Sequence, residues 1–272
     1  MKNEIYQLRE IAPQVYQIEE YGSFCYLIEG SRRALLIDTG TGFGDLAEFV
    51  RRITEKPLSV AATHAHPDHI GGRGNFPVLY LPAKDKKLAR FYGSLFMRRL
   101  MFGKKAQEKY GKKRKDIRKG KYRTKYSFLC DGDLFELGDK TVYCMETPGH
   151  TKGGMIFLLR ENKLLFSGDN VCRALWMFLP GSLTVEGWIP GAENTLALLS
   201  EYTAYSGHDL MPQDKELIGK LIATAKALVS KKRNTLLPRI KVYPENYTDH
   251  GILYNTRKVR TKKKVKNKKQ NT

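Results

Sequence analysis

Short apolar runs broken by glycine open the chain. Val15 to Ile18, Phe24 to Ile28 and Ala34 to Ile37 read as strands separated by Gly22 and Gly30. Leu46, Phe49, Val50 and Ile53 then recur at helical spacing, which predicts a helix over residues 45–54. Leu58 to Ala62 and Val78 to Leu81 return to short apolar runs and predict two buried strands. A second series follows, with strands expected over 133–137, 141–146, 155–159 and 163–166 and turns at Gly138 and Asn162. Residues 193–205 and 214–229 carry helical periodicity, and Asp214 is placed to cap the second helix. Residues 251–254 predict a closing strand. Two sheet-forming halves, each followed by helix, bury both apolar faces of their sheets if the helices lie outside. The expected class is α/β.

Between the two series the pattern changes. Residues 91–102, FYGSLFMRRLMF, are apolar and basic together and predict an amphipathic helix, either a lid over a site or a surface helix. The following GKKAQEKYGKKRKDIRKGKYRTK is lysine-rich, glycine-punctuated and expected to be mobile. Net charge is +20, and it is unevenly spread. Lys84 to Lys125 holds a net +15 and Thr256 to Thr272 a net +9, leaving the remainder at −4. The expected organisation is one domain over 1–250, a basic insertion at about 84–126, and a disordered basic tail over 256–272. Such segments suit a nucleic acid or another polyanion, or simply a solvated face. There is no apolar run long enough to span a bilayer and no apolar leader, so no membrane partner and a cytoplasmic location are expected. Cys25, Cys130, Cys144 and Cys172 form no C-x-x-C pair and read as reduced thiols.

The chemistry concentrates in THAHPDHIGG, Thr63 to Gly72. Half of the six histidines fall between His64 and His69, with Asp68 beside them. Pro67, Gly71, Gly72 and Gly74 argue against regular structure there, so the cluster is expected in a loop beyond a strand end. Imidazole and carboxylate in this density serve no packing purpose; they are the ligands that suit zinc, manganese or iron. TPGHTKGG offers His150, FSGDN offers Asp169 and YSGHDLMP offers His208, each beside glycine. Ligands delivered from several strand ends to one sheet edge make a metal site. His250 sits in a polar stretch and is read as a surface residue.

H-x-H-x-D-H with DHIGG, then TPGHT, SGD and GH, resembles the metallo-β-lactamase-fold hydrolase superfamily over roughly residues 10–230. The resemblance implies an αββα sandwich. It implies that His64, His66 and His150 hold one metal, that Asp68, His69 and His208 hold a second, and that Asp169 bridges them. LLIDTG resembles the segment in which an aspartate, here Asp38, orients a ligand loop. TPGHTKGG is nearest to the glyoxalase II-like branch, whose C-terminal domain has no counterpart here. Aspartate at 169, with Cys172 three residues late, speaks against antibiotic hydrolysis. Histidine at 66, where the diiron oxidoreductase branch has glutamate, speaks for hydrolysis.

The expected activity is a dimetal hydrolase, with two divalent ions of zinc type and iron or manganese as alternatives. It would attack a small ester, thioester or lactone carbonyl with a metal-bridging hydroxide, Asp68 acting as proton carrier. Trp176, Met177, Phe178 and Trp188 are expected either as an apolar wall of the substrate pocket or as core. A phosphodiesterase or nuclease using the basic segments, a mononuclear iron persulfide dioxygenase and a non-catalytic adaptor remain the competing readings.

Overall fold

A computed structural model describes residues 5–261, except for 112, 118 and 246–248. Seven strands form the first sheet, in sequence order: β1 (Gln7–Ala12), β2 (Val15–Glu20), β3 (Ser23–Glu29), β4 (Ala34–Ile37), β5 (Leu58–Ala61), β6 (Val78–Pro82) and β7 (Lys125–Leu129). β1 to β4 pair antiparallel and β4 to β7 parallel. The β2–β3 connection is a two-residue turn in which Tyr21 and Gly22 both have positive φ, 56° and 80°. That is the twist-compatible hairpin turn, and it later supplies a carbonyl to the site.

β8 (Leu134–Glu136), β9 (Thr141–Glu146), β10 (Met155–Leu159) and β11 (Leu164–Gly168) build the second sheet. β12 (Ala174–Met177) leaves it, and β13 (Thr203–Ser206) returns to pair parallel with β11. β14 (Ile240–Tyr243) and β15 (Gly251–Asn255) join β12 in a third, three-stranded sheet.

The two larger sheets face each other. Tyr26, Ile28, Leu35 and Ile37 meet Phe157, Leu159 and Phe166 in one continuous core. On the outer face of the first sheet, Leu36, Val60 and Leu79 bury against Leu46 and Val50 of α1 (Leu46–Arg51) and Ala89 of α2 (Lys86–Tyr92). The insertion continues as α3 (Leu95–Tyr110). On the other side, α4 (Val185–Leu198) and α5 (Lys215–Lys231) share a core with the third sheet, centred on Trp188, Leu221, Ala225 and Ile252. The order of layers is helix, sheet, sheet, helix. The fold is α/β, of the αββα sandwich type.

Several elements differ from the sequence pattern. The helix expected over 193–205 lies earlier, at 185–198, capped by Thr184, whose hydroxyl accepts from the Gly187 N–H at 3.0 Å. Gly187, Pro190 and Gly191 hid its first half, because helix breakers at these positions are paid for by tertiary burial rather than by propensity. Its expected last residues are instead β13. The glycine-rich stretch after the histidines forms a 3₁₀ turn, Gly71–Asn75. β1, β7, β12 and β14 escaped the pattern because their burial is partial or their residues are charged. Of the tail expected from Thr256, residues 256–261 pack onto the body, with Val259 wholly buried. Residues 262–272 lie outside the described residues.

Candidate metal centre

The seven side chains named in the sequence converge on one edge of the sandwich. The loop leaving β5 brings His64, His66, Asp68 and His69; loops after β9, β11 and β13 bring His150, Asp169 and His208. Two groups form. In the first, His66 Nδ1 lies 3.0 Å from His64 Nε2 and 2.7 Å from His150 Nε2. In the second, His208 Nε2 lies 3.3 Å from an Asp68 oxygen, and His69 Nε2 lies 3.9 Å from the other. Asp169 stands between them. Its Oδ2 is 3.5 Å from His150 Nε2 and 3.1 Å from His208 Nε2, and its Oδ1 is 3.1 Å from His69 Nε2.

The outer nitrogens decide what the inner ones can do. His150 Nδ1 donates to the Trp176 carbonyl at 2.8 Å, and His208 Nδ1 to the Gly22 carbonyl at 2.8 Å. His69 Nδ1 donates to Asp38 Oδ2 at 2.8 Å. The Thr63 hydroxyl gives its proton to Asp38 Oδ2 at 2.8 Å, so it accepts from His64 Nδ1 at 3.0 Å. Each outer contact therefore places a proton on Nδ1, so that in the neutral ring the Nε2 lone pair is aimed inward.

Burial, and then neighbouring imidazoles, hold His64 well below the usual imidazole range. Burial pushes His66 down to about 3, and it lowers His150 as well. Neutral imidazoles whose lone pairs converge within hydrogen-bonding distance repel unless a cation sits among them. His69 Nε2 and Asp169 Oδ1 are likewise buried without a hydrogen-bond partner. Burial alone would depress His69 and His208, but carboxylates led by Asp169 outweigh it and raise both well above the imidazole range. Donor type, inward aim and orphaned atoms all fit divalent metal. Three ligand groups satisfy the spacing: His64 with His66 and His150, His64 with His69 and Asp169, and Asp68 with His69 and His208.

The surroundings are built for this convergence. Asp38 takes positive φ, 64°, at the end of β4 and accepts the Thr63 N–H at 2.8 Å, which fixes the start of the histidine loop. Gly207 is required beside His208, since a Cβ there would lie 2.5 Å from Asp169 Oδ1 and 2.6 Å from His69. The buried Glu20 carboxylate gathers the N–H groups of Thr41, Gly42 and Phe43 at 2.5, 3.1 and 2.8 Å, shaping the loop that borders the site.

A cavity of about 810 Å³ opens onto Asp68, His66, His150, Asp169 and His208. Tyr21, Phe43, Met101, Phe102, Trp176 and Leu179 are among the residues that line it. Of the apolar stretch expected there, Trp176 lines the cavity and Phe178 rests on it at 5.2 Å between rings, whereas Met177 and Trp188 are core. α3 contributes Met101 and Phe102, so the insertion forms part of the wall. The buried Arg98 anchors it by donating to the Gly71 carbonyl at 2.5 Å. His250 pairs with Asp249 at 2.8 Å and takes no part in the cluster. Sequence reasoning missed the Gly22 and Trp176 carbonyls, which leave no side-chain signal. It also missed Thr63, which stands next to His64 in plain view.

Residues 18–217 match the metallo-beta-lactamase superfamily. The chain belongs to that superfamily. It is 29% identical over 214 residues to the human protein named "Acyl-coenzyme A thioesterase MBLAC2", covering 72% of this chain and 70% of that one. The Gallus gallus protein of the same name is 29% identical over 168 residues, covering 54% of this chain and 56% of its own length. "Probable polyketide biosynthesis zinc-dependent hydrolase PksB" of Bacillus subtilis is 26% identical, covering 60% of this chain and 61% of that one. The chain thus spans little more than half the length of the chicken protein. Among solved structures, the sec-alkylsulfatase Pisa1 from Pseudomonas sp. superposes with a TM-score of 0.61 at 16% identity, covering 82% of this chain and 42% of that one. A metallo-beta-lactamase from Pontibacter korlensis gives 0.55 at 18%, covering 80% and 97%. These likenesses carry the fold.

Proposed function

We propose that this superfamily member is a metal-dependent hydrolase of acyl thioesters. The observation that carries the reading is the apolar cavity that opens directly onto the convergent lone pairs. A phosphodiester would need cations along its path. Among the described residues that line the cavity the one such cation is Arg173, and its Nε lies 3.8 Å from the Asp209 carboxylate. Met101, Phe102 and Leu179 instead suit a hydrocarbon chain. The thioesterase names of the human and chicken relatives point the same way.

In this reading His64, His66 and His150 would hold one divalent ion and Asp68, His69 and His208 a second, with Asp169 between the two groups; zinc suits the donors. Such a pair would supply an activated water at neutral pH and polarise the carbonyl under attack. The chain's own residues do the rest. The acyl chain lies along the apolar wall and directs its carbonyl carbon to the cluster. Asp68 faces the cavity with its oxygen 3.3 Å from His208 Nε2, placed to orient the attacking water and take up its proton. As the C–O bond forms and the C–S bond breaks, that proton passes to the departing thiolate. The products are a free thiol and a carboxylic acid.

The test is zinc-loaded protein offered acyl-coenzyme A esters of graded chain length, a lactone, a bis-aryl phosphodiester and a persulfide, with thiol release followed by Ellman's reagent. Thioester turnover that His66→Ala abolishes is expected. Phosphodiester turnover without thioester turnover would overturn the proposal. The persulfide dioxygenase reading calls for one iron, which the first group alone could hold. The donors gathered around Asp68, His69 and His208 favour a second ion.

A further inference from the structure

Two polar side chains of residues 232–241 tie that segment to the body, while its four basic side chains are exposed. Asn234 Oδ1 accepts the N–H groups of Val259 and Arg260 at 2.9 and 2.8 Å, and Asn234 Nδ2 donates to the Arg260 carbonyl at 2.8 Å. The Thr235 hydroxyl donates 2.7 Å to the Leu237 carbonyl, and the Thr256 hydroxyl accepts the Arg239 N–H at 3.0 Å. Its apolar side chains point outward. Leu236 is 94% exposed, Leu237 70% and Ile240 61%. Exposure of this degree in adjacent aliphatic residues, on a backbone tied down by so many hydrogen bonds, has no folding purpose.

Beside the leucines lies a hollow of about 370 Å³. Lys232, Arg233, Arg239 and Lys241 line it, and no carboxylate does. The chain then continues from Thr261 into a stretch rich in lysine. None of the residues lining the hollow lines the large cavity.

We infer that the 232–241 loop is a docking element for an anionic phospholipid surface. Leu236, Leu237 and Ile240 enter the boundary between headgroups and acyl chains, and the four cations meet lipid phosphates. Charge complementarity alone would also admit a nucleic acid. Single-strand platforms, however, use exposed aromatic rings for base stacking. The aromatic residue here, Tyr254, is buried, and the exposed residues are aliphatic. No helix among the described residues is long and apolar enough to cross a membrane, and a docking loop needs none. The sequence pattern, read for spanning segments, gave no reason to expect a membrane partner. The exposed leucines supply one. The inference is independent of the substrate.

The experiment is co-sedimentation of the full chain with vesicles of phosphatidylcholine, and of equal parts phosphatidylcholine and phosphatidylserine. Binding to the anionic vesicles alone is expected. Leu236→Ser with Leu237→Ser keeps every charge and should weaken binding at least about tenfold. Arg239→Glu with Lys241→Glu should weaken it by more than about twentyfold. Leu236→Trp should add a blue-shifted fluorescence component on anionic vesicles. Metal content should be unchanged in all three. Undiminished binding by the leucine variant would overturn the proposal, since the terminal lysines would then suffice. So would binding to polyuridylate that the charge variant loses and the leucine variant keeps, in the absence of vesicle binding.

Discussion

The two halves of the metal centre are made differently. His64, His66 and His150 are almost wholly buried, burial keeps them neutral, and all three donors are imidazole nitrogens, two of which, His66 and His150, border the cavity. Asp68, His69 and His208 mix charge with neutrality, and the His208 side chain is 35% exposed at the cavity mouth. The first group resembles a structural clamp, with nothing to yield. The second faces the space a substrate would occupy, and it includes the carboxylate best placed to carry a proton. Under the proposed function, binding strength and chemistry would fall on different sides of one carboxylate, Asp169.

Removing that carboxylate erases the distinction. Asp169→Ala should strip metal from both groups and lower hydrolysis by about a thousandfold or more, several kcal/mol of transition-state stabilisation. Elemental analysis beside thiol-release rates checks it; retention of two equivalents of zinc would break the assignment of Asp169 to both groups.

Single-group variants should then separate. His66→Ala should empty the first group and abolish turnover. His208→Ala, at the exposed edge, should retain close to one equivalent of metal and lose about ten- to a hundredfold in activity. Equal metal loss in the two variants would mean that the groups do not differ as their burial implies.

Asp38→Asn touches both groups from behind. It accepts from Thr63 N and Oγ1 and from His69 Nδ1, so it fixes His64 through Thr63 and His69 directly. An amide turns one acceptor into a donor facing donors. Metal affinity should fall about tenfold to a hundredfold in both groups, read by competition with a chromogenic chelator.

How legible this was depended on what fixed each residue. The histidine loop could be read directly, because H-x-H-x-D-H has no packing use. His150, Asp169 and His208 could be read because glycine marks each turn that aims them. The first-sheet strands β2 to β5 followed their apolar runs closely. α4 did not, since Trp188 and Ala192 stabilise it by burial against α5 and the third sheet, and its own glycines and proline argue otherwise. The carbonyls of Gly22 and Trp176 were invisible, because any residue offers one; only the turn and strand geometry brings them to His208 and His150. The leucines at 236 and 237 carry no pattern in the sequence, and only their exposure in the fold marks them.

Asp85 sharpens the comparison with the smallest change. It stands at the start of the basic insertion, almost wholly buried, and holds both loops of the first group and neither loop of His208 or Asp169. Its Oδ2 accepts from the Ala65 N–H, between His64 and His66, at 3.1 Å, and from the Thr151 hydroxyl, next to His150, at 2.7 Å. Its Oδ1 accepts the Gly153 N–H at 2.9 Å. In Asp85→Asn either orientation of the amide sets an N–H against a donor, Gly153 in one and Ala65 in the other. The first group should loosen about tenfold in metal affinity while the second keeps its own. Cobalt substitution reads this, since the band of one site should shift and that of the other stay. A uniform loss across both sites would make Asp85 a general stabiliser of the fold. A selective loss would show that the clamp is held from outside the metal shell, by a residue whose only sequence mark is its place just beyond β6.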